Sequence, residues 1–223
     1  MPASALRTDL AVDQLTVYVE RLMANYFPDG VESPHTLVDH VSLALDRIEH
    51  CFSSIHRKYY NFNGEITFSH LNSDHMAAFL YLLGNTIWKQ TGDTVVPTKL
   101  FYLNKVMNGL DLYFSVELPD IFLLVHPVGT VIGNAAYSDY LVVYQNCTIG
   151  SDAGIYPRLG PGVILYSRTS VVGNCEIGAD VVFAAGSTVI NANIAANSTV
   201  VGQFPNHRAL PNDRSVRSRI FDA

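Results

Sequence analysis

Asp111 and His126 stand fifteen residues apart and carry the side chains needed for proton transfer. An imidazole ionises near neutral pH and can take a proton from a hydroxyl. A carboxylate bonded to its other nitrogen fixes the tautomer and stabilises the imidazolium. His126 lies in LLVHPVGTVIG, between large apolar residues and a glycine-containing turn. Taken alone, such a histidine is better explained as a core residue that has found a hydrogen bond. Whether it is a base depends on the elements that carry the two residues.

Those elements change character near residue 111. Before it the apolar spacing is helical: Val41, Leu45, Ile48, Phe52 and Ile55 step by three or four, after a start at Ser33-Pro34. Met76, Leu80, Leu83 and Ile87 repeat the pattern, with Ser73 or Asp74 as N-cap and Gly92 past the end. Leu15, Val19, Leu22 and Tyr26 predict another helix, and residues 98–108 a short last one. Residues 57–72 read as a loop with an extended piece. His70 and His75 are expected at the surface.

After residue 111 the period becomes six. Leu159, Leu165, Val171, Ile177, Phe183 and Val189 follow at that step without a break. Four residues after the first five stand Val163, Thr169, Cys175, Val181 and Ser187, all small or β-branched. Leu112, Leu118 and Leu124 carry the same period earlier, as do Val143 and Ile149. Neither a helix nor an alternating strand repeats every six residues. A coil with three flat faces does, each hexad making one short strand and one corner, with the large residue inside. The expected fold is α+β: an N-terminal helical domain (1–110), a parallel β-helix of hexapeptide repeats (111–205) and a C-terminal tail (206–223).

The column breaks twice. From Leu124 to Ile132 the step is eight, with the additional residues around His126; from Ile149 to Leu159 it is ten, across GSDAGIYPR. Extra residues must leave a coil as a bulge or loop, where function is commonly carried. His126 is therefore expected at a corner rather than in the core. Fifteen residues are about one coil, so Asp111 is expected beside it on the adjacent coil.

Composition narrows the partners. A formal charge of −6 gives no electrostatic reason to expect nucleic acid or an anionic membrane. No apolar run reaches the roughly 18 residues of a membrane span, and no signal peptide is evident, so the cytoplasm is expected. Cys51, Cys147 and Cys175 lack metal-ligand spacing and read as buried thiols. No metal site is expected. Residues 183–201 contain no charge, which predicts packing of coil faces into a trimer or dimer of trimers.

Residues from about 80 to 205 resemble the serine acetyltransferases of the hexapeptide-repeat, left-handed β-helix acyltransferase superfamily. LLGNTIWKQ and LDLYF are similar to that family's last helices and the start of its β-helix; VHPVGTVIGNA and YQNCTIG are similar to its catalytic-His segment and a following coil. The resemblance implies an acetyl-CoA-dependent O-acetyltransferase with His126 as general base and Asp111 as its partner, and a site between neighbouring β-helices. Small residues Ala184, Ala185 and Gly186 are candidates for close approach of coenzyme A. His207 and Arg208, in an ending similar to the family's Val-x-Gly-x-Pro-Ala-Arg, are candidates for its phosphates.

Several positions depart from the family. Val125 replaces the Asp that precedes its catalytic His, and Tyr156 replaces the His of an Arg-His-Pro turn. No counterpart of an N-terminal Asp-Pro-Ala motif stands between residues 55 and 75, leaving Asp120 or Glu117 as substitutes. The tail ends in Phe221-Asp222-Ala223 rather than isoleucine, so docking of cysteine synthase is not expected. Val125, Tyr156 and Arg158 are the acceptor-contact candidates. With no charge at Val125 and a flat apolar face at Tyr156, the expected acceptor is a sugar or related polar metabolite. The alternatives are serine itself and a non-catalytic β-helix scaffold.

Overall fold

The structure, a computed structural model, describes residues 6–30 and 37–221. The first half contains β1 (Leu6–Thr8), α1 (Val12–Tyr26), α2 (Leu37–Ser53), β2 (Asn61–Phe62), β3 (Glu65–Phe68), α3 (Ser73–Thr91) and α4 (Val95–Asn108). The start anticipated at Ser33-Pro34 lies outside the described residues. Val41, Leu45, Ile48, Phe52 and Ile55 are all buried, as the helical spacing requires. The extended piece near residue 65 is β3, the centre of a small sheet ordered β1-β3-β2.

Helix α3 is buried on every side from His75 to Ile87, because it packs against α2, α4 and the β-helix. Its N-cap is Asn72, one residue before the expected position; the Asn72 side chain accepts from the N–H groups of Asp74 and His75 at 3.0 and 3.5 Å. Gly92 ends the helix at φ 72° as expected. His75 is not at the surface. It is 1 % exposed among the rings of Phe52, Tyr60 and Phe68, and its Nδ1 accepts the Ser69 N–H at 3.1 Å. Burial pushes its pKa down to about 4. His70 is also largely covered, 2.9 Å from the Asp9 carboxylate. Helical periodicity on α3 could not place His75, since a helix buried all round has no polar face.

The second half is a parallel β-helix. Its strands are β4 (Leu110–Leu112), β5 (Phe122–Val125), β6 (Thr130–Ile132), β7 (Leu141–Tyr144), β8 (Thr148–Gly150) and β9 (Arg158–Leu159). They continue with β10 (Val163–Leu165), β11 (Ser170–Val172), β12 (Glu176–Ile177), β13 (Val181–Phe183), β14 (Thr188–Ile190), β15 (Ser198–Val201) and β16 (Arg208–Pro211). One face is β4-β6-β8-β11-β14 and a second is β5-β7-β10-β13-β15. The third holds β9 and β12, extended by bridges at Ala136 and Ile194. Paired in-register residues are three hexads apart: Leu159↔Ile177, Leu165↔Phe183 and Val171↔Val189. All six are buried, as are the small residues of the second register. Cys51, Cys147 and Cys175 are free and buried.

Residues 206–221 do not hang free. Strand β16 pairs antiparallel with β15, and α5 (Val216–Ile220) follows it. Val216, Ile220 and Phe221 are buried, and the Phe221 ring meets Tyr140 edge-on at 5.2 Å. Asp222 and Ala223 lie outside the described residues. Among the described residues no helix is long and apolar enough to cross a membrane.

Candidate active site

The register locates both breaks. Val125 pairs with Tyr144 and Val131 with Thr148, so five residues in one coil stand against three in the next. The Asn146 N–H bonds the Val128 carbonyl, as the Arg168 N–H bonds that of Gln145, which aligns Val128 with Gln145. The two surplus residues are therefore His126 and Pro127. Gly129 takes the left-handed corner position at φ 72°, where a Cβ would come within 2.5 Å of Asn146 Oδ1. His126 is itself left-handed, at φ 47°, and its side chain is 74 % exposed. A non-glycine residue held there is strained and lifted out of the coil. It is no core histidine.

The carboxylate beside it is Asp74. His126 Nδ1 lies 3.5 Å from Asp74 Oδ2, and the Asp74 side chain is only 11 % exposed. Asp74 is in the first turn of α3, which packs against β5, the strand leading to His126. Burial first, and then the negative charge of Asp74, raise the pKa of the Tyr60 phenol. Tyr144, the partner of Val125, and Tyr166 hold their rings 4.9 Å apart at a 41° tilt beside the His126 corner.

Asp111 is elsewhere. Its side chain points outward from β4, and Oδ2 takes the ammonium of Lys105 at 2.7 Å. Among the described residues, the carboxylate within ion-pair distance of His126 is that of Asp74, not Asp111. The one-coil spacing put Asp111 on the correct coil, but it pairs with Val131 on the face, past the corner that His126 occupies. Glu117 is tied to Lys89, and Asp120 lines a pocket with Arg47 and His50 between α2 and α3; neither is brought to His126.

Nor are all acceptor candidates together. The four surplus residues of the second break lie between Gly150 and Arg158, whose partners Val172 and Glu176 are only three residues apart inside. Tyr156 sits in that loop with its ring against Gly133, where a Cβ would meet Cε1 at 2.8 Å. Arg158 is on the third face, 3.6 Å from Glu176. His126 precedes the first face and Tyr156 follows it, so one chain holds them on different edges. Val125 does adjoin His126.

The coenzyme candidates share the edge of His126. Continuing the register, Gln145, Ser167 and Ala185 stack at one corner, with Ala184 and Gly186 on either side. Ala185 is three coils from His126, about 14 Å at the usual strand spacing. Ala185 is exposed, and its N–H makes no hydrogen bond among the described residues. His207 and Arg208 lie where the chain turns back into β16. No group of three or more metal-ligand side chains occurs among the described residues.

Sequence reasoning missed Asp74. The one available signal was Asp74 itself, read as a cap because a helix start explains an Asp without further cause.

No protein-family model matches the chain. A serine acetyltransferase of Synechococcus elongatus is 31 % identical over 113 residues, covering 48 % of this chain and 46 % of the relative. That of Staphylococcus xylosus is 25 % identical over 151 residues, covering 66 % and 68 %. The chain thus spans about half the length of the first relative and two thirds of the second. The crystal structure of serine acetyltransferase from Vibrio cholerae superposes with a TM-score of 0.67 at 19 % identity, over 92 % of this chain and 83 % of that one. A serine acetyltransferase in complex with CoA gives 0.58 at 16 %, over 89 % and 76 %. The chain is thus similar to serine acetyltransferases. At such identities the structural likeness establishes the fold, helices followed by a left-handed parallel β-helix.

Proposed function

We propose that the protein is an acetyl-CoA-dependent O-acetyltransferase acting on the hydroxyl of serine or a close α-amino acid. The observation that carries this reading is His126, raised out of the coil by a two-residue insertion with a carboxylate at Nδ1. Nε2 is then the nitrogen left to take the acceptor's proton as its oxygen attacks a thioester carbonyl. Ser167, Ala184, Ala185 and Gly186 fit a thin, extended arm lying along the edge, and exposed backbone N–H groups there suit amide oxygens. Acetyl-CoA bound along that edge would supply the activated acetyl group. No covalent intermediate on the protein is required.

The acceptor reading moves from sugar to serine for two reasons. Tyr156, the basis of the sugar expectation, does not share an edge with His126 in one chain. The negative charge missing at Val125 is present at Asp74, so an ammonium group beside the base would meet a countercharge. The names of the relatives point the same way. Tyr156 and Arg158 reach the site of a neighbouring copy if three β-helices pack edge to edge, the assembly proposed here. Competitive kinetics decide the acceptor, with L-serine and a panel of saccharides present together and thiol release followed. Serine is expected to show the higher specificity constant; a saccharide that exceeds it overturns this reading.

A further inference from the structure

We infer that Asp74, supplied by the start of α3, is the residue that positions His126, in the place where Asp111 was expected. This rests on His126 being the base. Two observations converge. Asp74 Oδ2 approaches Nδ1, the nitrogen whose protonation leaves Nε2 as the basic one. The 3.5 Å separation is loose, and such pairs commonly tighten only when substrate binds. Asp111 is already engaged by Lys105.

Asp74 is also built to stay where it is. Its N–H is held by the Asn72 cap, and the next residue, His75, is locked among Phe52, Tyr60 and Phe68. The preceding loop is tied down by Asp9, which accepts from the Ser69 hydroxyl at 2.8 Å and the His70 N–H at 3.1 Å. The carboxylate is thus a rigid feature of the helical half, while His126 is an exposed side chain on a strained corner of the β-helix. An exposed imidazole with a fixed anchor is the arrangement in which one carboxylate sets both tautomer and direction. The helical half then completes the site, and the start of α3 is its contribution.

The test compares Asp74→Asn, Asp74→Glu and Asp111→Asn in the full chain. Asp74→Asn is expected to lower kcat about a hundredfold and also to raise the KM for serine, whose ammonium group loses its countercharge. Asp74→Glu should recover part of that loss, and Asp111→Asn should stay within about threefold of the parent. Independently of turnover, ¹⁵N shifts of the His126 imidazole should report an Nδ1–H tautomer in the parent, shifting towards Nε2–H in Asp74→Asn. An unchanged tautomer in Asp74→Asn, or a loss that falls on Asp111→Asn instead, overturns the assignment. Full activity in His126→Ala would instead refute His126 as base, which separates that failure from this one.

Discussion

At the scale of single residues, the proposed chemistry rests on one imidazole that the coil cannot accommodate. His126 and Pro127 are surplus to the register, and the chain resolves the surplus by a left-handed histidine whose ring faces out. Removing the ring should therefore not disturb the packed column. His126→Ala is expected to lower acetyl transfer by at least about a hundredfold, measured as thiol release. Coenzyme A affinity, measured by calorimetry, should change by less than about threefold, because the candidate contacts are backbone and small residues two to three coils away. Near-parental turnover in that variant would mean that another group is the base.

At the scale of elements, α3 joins structure to function through its first turn. His75 is buried neutral there, with a pKa near 4 against an ordinary value of 6.5. Below pH 6.5 the unfolded chain binds a proton that the folded chain refuses, so stability falls as pH drops from about 6.5 towards 4. The full effect is of the order of 3 kcal/mol. Urea midpoints at pH 7 and pH 4.5 should differ by less in His75→Phe than in the parent. At pH 7 the variant itself should be roughly 1–2 kcal/mol weaker, since the Ser69 N–H loses its acceptor. Equal pH slopes in the two proteins would show that other groups account for the acid sensitivity.

At the scale of the whole molecule, one chain separates what the proposed site needs. His126 and Asp74 stand on one edge of the β-helix, Tyr156 and Arg158 beyond the face that follows. Apolar side chains lie exposed on it: Val128 (62 %), Val131 (40 %) and Ile155 (53 %). These residues, together with the charge-free stretch 183–201, predict packing against copies of the same chain, and threefold packing would bring one chain's IYPR turn to its neighbour's edge. Light scattering is expected to give a trimer or a multiple of three, with activity lost on dilution to monomer. A monomer that retains full activity counters the shared-site assembly.

The hexad period, the two interruptions and the placement of His126 at a corner were all legible in the amino-acid order. Each is a local rule: a coil of three short strands demands a large inward residue every six positions, and any surplus must leave at the corner where it occurs. Helix spans were legible for the same reason, through the three-to-four spacing of Val41 to Ile55 and Met76 to Ile87. Burial of His75, the pairing of Asp111 with Lys105 and the approach of Asp74 to His126 were not. Each depends on tertiary packing, and the last on how the start of α3 meets the edge of β5, a contact between residues fifty-two positions apart that no period encodes. Asp111 was chosen because coil length is a sequence quantity, whereas the side of a corner on which a carboxylate falls is set by strand register. Sequence spacing determined which corner carries His126. Only the packing of the helical half against that corner decided which carboxylate stands beside it.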